Sequence, residues 1–235
     1  MSLLHHSGIE LAAIPAGTFQ MGLGPAEEAE AKRICSEPRI WWESVQPARN
    51  VSVAPFLIST SPITNDQVRR LAPDVAVRAI RDGAAGTDVA RLTKPDAANV
   101  ARALGGRLPS ELEWEYACRA GARGLFTFGD LPDDVSTLTS WMSWNGEVGS
   151  RNALGLRTLF TGEWCADTWS TSYFDESTKN DGVDVVRGGG AYFWPWQDEE
   201  WVWCMSCVRS PSTELPELEW SFRLVFDIDP RASSK

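Results

Sequence analysis

Apolar positions fall in short runs separated by turn residues, and the spacing changes along the chain. Ile9 to Met21 (IELAAIPAGTFQM) sets two apolar stretches around Pro15-Ala16-Gly17, which predicts two short strands joined by a turn. Gly22 to Gln46 is polar, with an acidic cluster at Glu27, Glu28 and Glu30, and reads as a loop carrying a helical turn. Asn50 to Ser59 alternates like a pair of strands broken at Pro55, which cannot donate to a ladder. Thr64 followed by Gln67 forms a capping box that opens a short helix through Arg70. Ala72 to Gly83 fits either a second short helix or a strand. Thr93 to Gly105 predicts a helix with Pro95 in its first turn and Gly105 as its stop. Ser110 and Glu113 make another capping box, so Ser110 to Arg119 is a helix ended by Gly121, with Leu112, Tyr116 and Arg119 on one face. From Leu125 onward helical spacing fades, and Val183 to Arg187 and Trp220 to Asp227 read as strands. The class this predicts is α+β, loop-rich, with short strands and a few helices.

Composition narrows the picture. Hydrophobic residues make up 43% of the 235 positions and charged residues 23%, ordinary values that exclude a disordered chain. No internal repeat or linker divides it, so one domain over residues 8–228 is expected, with flexible termini at 1–7 and 229–235. The 12 Trp, 19 Gly and 14 Pro suit many short elements joined by turns. A net charge of −10 argues against nucleic acid as a partner, because neutralising phosphates needs clustered Lys and Arg. No apolar run approaches the roughly 18 residues of a membrane span. The first ten residues lack the basic and apolar regions of a signal peptide, and the cysteine count is odd, so reduced thiols in a cytoplasmic setting are expected. His5 and His6 are the only histidines, which removes Ser-His-Asp and Cys-His catalysis and His-ligated iron or zinc from consideration unless the terminus supplies the imidazole.

Several motifs then recur in a distinctive order. Ile14-Pro15-Ala16-Gly17-Thr18-Phe19-Gln20-Met21-Gly22 precedes Ile63-Thr64-Asn65-Asp66-Gln67, and then Gly106-Arg107-Leu108-Pro109-Ser110-Glu111-Leu112-Glu113-Trp114-Glu115-Tyr116-Ala117. Phe128-Gly129-Asp130, Asn152-Ala153-Leu154-Gly155-Leu156, Glu163-Trp164-Cys165-Ala166-Asp167, Arg187-Gly188-Gly189 and Phe222-Arg223-Leu224-Val225 follow. The series resembles the formylglycine-generating enzyme (sulfatase-modifying factor) family over about Ile9 to Asp227. That resemblance implies a variant of the C-type lectin fold. On physical grounds most of these motifs read as scaffold: Arg107 to Ser110 sets a helix start, Trp114, Tyr116 and Ala117 pack that helix on a sheet, and the Arg-Gly-Gly run permits a sharp turn.

The chain departs from the family at its chemistry. Catalytic members carry two cysteines, five residues apart, shortly after the Arg-Gly-Gly turn, and oxidise with copper. By straight count those positions hold Phe193 and Asp198, so no catalytic residues are assigned and copper is disfavoured. Cys204 and Cys207 have another spacing, and alternation within Val202 to Val208 would set them on opposite faces of a strand. Cys118 and Cys165 sit within scaffold motifs and read as small buried hydrophobes. The calcium-associated segment of the family is two residues short here, which leaves calcium as a candidate resting on Asn145, Asn152, Glu163 and Asp167.

Gly190 to Trp220 is what the scaffold does not explain. It combines Tyr192, Phe193, Trp194, Trp196, Trp201, Trp203 and Trp220 with six acids, Asp198, Glu199, Glu200, Glu214, Glu217 and Glu219, against the single base Arg209. Six carboxylates are too many to bury unpaired, so several of the aromatics beside them are expected at the surface. Rigid aromatics ringed by acids form a recognition pattern, suited to a protein, a cation or a sugar-like ligand. The expected ligand-binding set is Tyr192, Phe193, Trp194, Trp196, Asp198, Glu199, Trp201, Trp203, Glu217 and Trp220. By position this window also resembles the variable segment of diversity-generating-retroelement proteins, with Ser221 in place of the Gly that ends that segment. Two readings follow: a non-catalytic binding domain, or an oxidoreductase of the same family with altered active-site residues.

Overall fold

A computed structural model describes residues 4–34, 42–127, 151–157, 162–173, 175–188, 205–214 and 219–228. Strands β1 (Leu4–His6), β2 (Ile9–Ile14), β5 (Phe56–Ser59) and β9 (Val225–Asp227) form an antiparallel sheet in the order β1-β2-β5-β9. Strands β3 (Gly17–Met21) and β4 (Arg49–Val53) pair separately, as do β6 (Glu163–Ser170), β7 (Lys179–Arg187) and β8 (Arg209–Pro211). The two strands expected around Pro15 both form, yet they part at the proline and enter different sheets. β4 and β5 part at Pro55 in the same way.

Six helices lie among the described residues: α1 (Pro25–Ile34), α2 (Trp42–Val45), α3 (Asn65–Leu71), α4 (Pro73–Ala79), α5 (Lys94–Ala103) and α6 (Glu111–Arg119). Thr64 and Ser110 each complete a full capping box, and Thr93 caps α5 through the Asp96 amide. The undecided segment after Ala72 is helical, with Pro73 at its first turn. α1 replaces a loop in the sequence reading. It has no strong apolar stripe; Glu27 and Glu28 in its first turn, Lys32 and Arg33 in its last, and the pairs Glu28–Lys32 and Glu30–Arg33 support it instead.

The four-stranded sheet is covered on both faces, which is why β2 reads as a nearly continuous apolar run. Ile9 and Leu11 join α3, α4 and α5 in one core with Leu92, Trp164, Val186, Trp220, Phe222 and Leu224. Ala12 and Ile14 face the other way, onto Phe56, Ile58, Ala117, Leu156 and Val225. The strand expected over Trp220 to Asp227 shortens to β9, because residues 220–224 bond to several segments in turn. Trp220 exchanges hydrogen bonds with Leu92, Ser221 bonds to Gly162 and Trp164, Phe222 accepts from Ile63 and Leu224 from Ser59. The closeness of this spine explains Gly162: a Cβ there would stand 2.4 Å from the Trp220 ring.

Candidate functional site

Helix α6 lies against β3, β4, β6 and β7, and its residues at i, i+4 and i+8 determine what lies beneath the third sheet. Glu111, Glu115 and Arg119 occupy these positions, and all three are buried. Glu111 grips Arg209 with both oxygens, at 2.6 Å to Nε and 2.5 Å to Nη2. Glu115 receives Arg187 Nη2 at 2.6 Å, Arg119 Nε at 2.9 Å and the Gly22 amide at 2.9 Å. Arg119 reaches on to Glu27 and to the Gly22 carbonyl. Three guanidinium groups are thus balanced by three carboxylates. Tyr173 closes the cluster, its hydroxyl bonded by Arg187 and within reach of Glu115 and the Cys207 carbonyl. Arg209 lies over the rings of Trp169 and Tyr173, at 4.3 and 4.6 Å from their centroids.

Burial sets the electrostatics. Arg187 and Glu115 are each 0% exposed, so their charges rest on one another rather than on water. Desolvation pushes the Glu111 carboxyl up, against the pull of Arg209 and Arg187. Desolvation also acts on Glu115, but Arg187, Arg119 and the Gly22 amide outweigh it and hold that carboxyl below the ordinary glutamate value. Desolvation pushes the Cys207 thiol up to about 12 and the Cys165 thiol well above its usual value. Both are therefore thiols rather than thiolates at neutral pH, and poor nucleophiles. Cys207 sits in a turn after Met205, not in the strand expected over Val202 to Val208.

These groups hold two stretches of chain together at one point. β7 ends at Arg187, and Gly188 leaves the sheet with φ of +74°. Met205, Ser206 and Cys207 precede β8, which pairs with β7 so that Arg187 stands opposite Arg209. The Arg187 guanidinium also donates to the carbonyls of Ser206 and Cys207, at 3.2 and 3.1 Å.

A separate buried ion pair joins Arg223 to Glu163. Arg223 holds Glu163 with two bonds of 2.5 and 2.7 Å, and Glu163 also accepts from the Trp114 indole. Glu163 is 1% exposed, and both its oxygens accept from protein donors. Asn152 is committed too. Its amide oxygen accepts from Leu154 and Leu156 while its NH2 group bonds the Ala117 and Cys118 carbonyls. Asp167 caps the start of α6 by accepting from the Glu111 amide. All three residues thus make hydrogen bonds that join separate parts of the fold. Among the described residues no group of three or more His, Cys, Asp or Glu side chains is arranged to hold a metal.

Trp220, expected at the display surface, is instead 1% exposed in the main core. Tyr192, Phe193, Trp194, Trp196, Asp198, Glu199, Trp201, Trp203 and Glu217, with Asn145, lie outside the described residues. Cys118 and Cys165 are both buried, as small hydrophobes would be. Sequence reasoning missed the Glu111–Glu115–Arg119–Arg187–Arg209–Tyr173 cluster. Its signal was there in two forms: acids and a base one turn apart on the helix face that also carries Trp114 and Cys118, and arginines embedded in apolar runs such as Val185-Val186-Arg187 and Phe222-Arg223-Leu224.

Three small sheets, capped helices and a charged cluster beneath the last sheet define a mixed helix-and-sheet, loop-rich domain. Solved structures share it: PvdO from Pseudomonas aeruginosa superposes with a TM-score of 0.68 at 19% identity, over 97% of this chain and 98% of that one. Treponema denticola variable protein 1 gives 0.61 at 14% identity, over 95% and 98%. At these identities the likeness is one of fold. The chain belongs to the family described as "Sulfatase-modifying factor enzyme 1-like domain", whose profile matches residues 5–227. Curated relatives include the formylglycine-generating enzymes of Mycobacterium tuberculosis, 41% identical over 73 residues (30% of this chain, 24% of that protein), and of Bos taurus, 33% identical over 113 residues (37% and 30%). The matches span about a quarter to a third of the length of these relatives.

Proposed function

We propose that this domain is a non-catalytic member of its family that binds a protein or small-molecule ligand through the aromatic and acidic residues of the 190–217 segment. The observation that carries the reading is the pairing of a buried, charge-balanced base with a segment whose composition is unlike a core. Arg187 and Arg209 flank a run holding Tyr192, Phe193, Trp194, Trp196, Trp201 and Trp203 together with Asp198, Glu199 and Glu200. The thiol pair needed for copper-dependent oxidation does not fit this chain, since Phe193 and Asp198 occupy those positions and the Cys207 thiol is buried and protonated. The shared fold with a protein named as variable supports the use of this scaffold for display, and retroelement diversification of the segment is part of the proposal. With Trp220 in the core, the ligand-binding set contracts to Tyr192, Phe193, Trp194, Trp196, Asp198, Glu199, Trp201, Trp203 and Glu217.

The test replaces Trp194, Trp196, Trp201 and Trp203 by Ala and compares capture of immobilised glycans and cationic peptides with that of the unaltered chain. Capture by the unaltered chain, lost in the variant while thermal unfolding stays cooperative, supports the reading. Capture that survives the four substitutions overturns it. Turnover of a cysteine-bearing sulfatase peptide by copper-loaded protein would favour the oxidoreductase instead.

A further inference from the structure

We infer that Glu111 and Glu115 act through Arg187 as a clamp on the two stems of the 188–208 segment. The clamp keeps the spacing of the stems independent of the residues between them. This deepens the binding reading, and its test reads no ligand.

Arg187 and Arg209 stand directly opposite each other on β7 and β8. Like charges so placed in a ladder repel, and here both are buried, at 0% and 2% exposure, where water does little to screen them. The pairing is tenable because α6 supplies a carboxylate to each, Glu115 at 2.6 Å from Arg187 and Glu111 at 2.5 Å from Arg209. Glu111 also stands 3.5 Å from Arg187, so it bridges both arginines.

The guanidinium of Arg187 is itself the cross-link. One nitrogen, Nη2, serves Glu115 and the Ser206 carbonyl, and Nη1 serves Tyr173 and the Cys207 carbonyl. The outgoing stem is thereby fixed to the returning one and both to α6. Ser206 is tied further by its amide to Leu125, and Arg209 by its guanidinium to the Ser170 carbonyl. Every one of these contacts uses a backbone carbonyl or a side chain outside residues 189–204. A change of sequence within 189–204 therefore removes none of them. That is the property a scaffold needs if the segment is to differ between binders.

Lysine cannot replace Arg187 in this role, since a single ammonium cannot present a planar fork to a carboxylate and two carbonyls at once. The experiment uses the full chain and amide hydrogen exchange. Residues 190–203 are replaced by a Gly/Ser run of equal length, with and without Arg187→Lys. With Arg187 intact, protection at Val186, Arg187, Ser206 and Ser210 is expected to stay within about threefold of the parent. With Arg187→Lys, the same amides are expected to lose on the order of a hundredfold, while Ser59 in the four-stranded sheet and Thr60 just after it keep theirs. Should Arg187→Lys fail to fold, Glu115→Asp, which keeps the charge but shortens its reach, is read at the same amides. Stem protection lost on the Gly/Ser replacement alone, or a uniform loss across both sheets in the Lys or Asp variant, would overturn the clamp.

Discussion

Two buried regions of this domain are held together by opposite means. Around the four-stranded sheet the core is apolar, and Leu11, Val68, Leu92, Val100, Phe222 and Leu224 share the burial among many contacts. Beneath the third sheet a small apolar cluster of Trp114, Cys118, Cys165, Trp169, Val183 and Val185 is joined by buried arginines and glutamates whose energy lies in a few directed bonds. Apolar burial is forgiving, because neighbours can relax into a small cavity. A buried charge that loses its partner has no such recourse, since the penalty of the orphaned charge remains. Precision is thus concentrated at one place, directly under the pairing of β7 with β8.

The largest effect follows from that contrast. Glu115→Ala leaves both Arg187 and Arg119 without their shared carboxylate, and should cost about 3–5 kcal/mol or prevent folding. Leu224→Ala, at a site equally buried, should cost about 2–4 kcal/mol and leave a cooperative transition. Urea unfolding of the two variants measures both. If Leu224→Ala proves the more damaging, the division of labour between the regions is wrong.

A close backbone approach gives the next effect. Gly162→Ala places a methyl 2.4 Å from the Trp220 ring and 2.7 Å from Val186, both buried and neither free to swing away. Overpacking of this kind costs about 1–3 kcal/mol. Thermal unfolding should show the loss, and Trp220→Phe in the same background should restore part of it by vacating space.

The same contrast explains what could be read from sequence. Capping boxes at Thr64 and Ser110 were legible because a cap depends on residues three positions apart and on nothing else. The apolar spine at Phe222 and Leu224 was legible from alternation. The charged cluster was not, because Glu115 meets Arg187 across 72 positions and Glu111 meets Arg209 across 98, and no local pattern names such partners. By itself each charge reads as solvated; only the fold makes it a buried pair. Trp220 failed for the converse reason: acidic neighbours in sequence suggested a surface, whereas its ring packs toward Leu92 and Gly162. β1 also formed where a flexible terminus was expected, since Leu4 to His6 pair back onto β2 and the His6 ring meets Phe226.

Acid titration separates the two glutamates more finely. Glu115 is held below the ordinary value of 4.5, so it stabilises the fold above that pH, and the contribution disappears as pH falls through its folded pKa. Glu111 is held above 4.5, so its contribution is complete below that value and declines as pH rises through its folded pKa. The stability difference between the unaltered chain and Glu115→Gln should therefore shrink on acidification below pH 4.5, while the corresponding difference for Glu111→Gln should shift in favour of the unaltered chain. Urea midpoints measured from pH 3 to 7 give both slopes, and slopes of the same sign would mean that the two carboxylates share one environment.

The smallest effect concerns chemistry rather than stability. With Cys35 and Cys204 changed to Ser, the thiols left are Cys118, Cys165 and Cys207, all buried. Cys207 is pushed up to about 12 by its burial, so its thiolate fraction at pH 8 is on the order of one in ten thousand. Alkylation must then wait for opening, and its rate reports which region opens first. Cys207 lies on the returning stem, with its carbonyl held by Arg187, whereas Cys165 lies within β6. Arg187→Lys should accelerate labelling of Cys207 well before that of Cys165, as read by mass spectrometry of the alkylated peptides. Equal acceleration at the two thiols would mean that the charged region and the third sheet open as one unit, and that the stems have no separate lock.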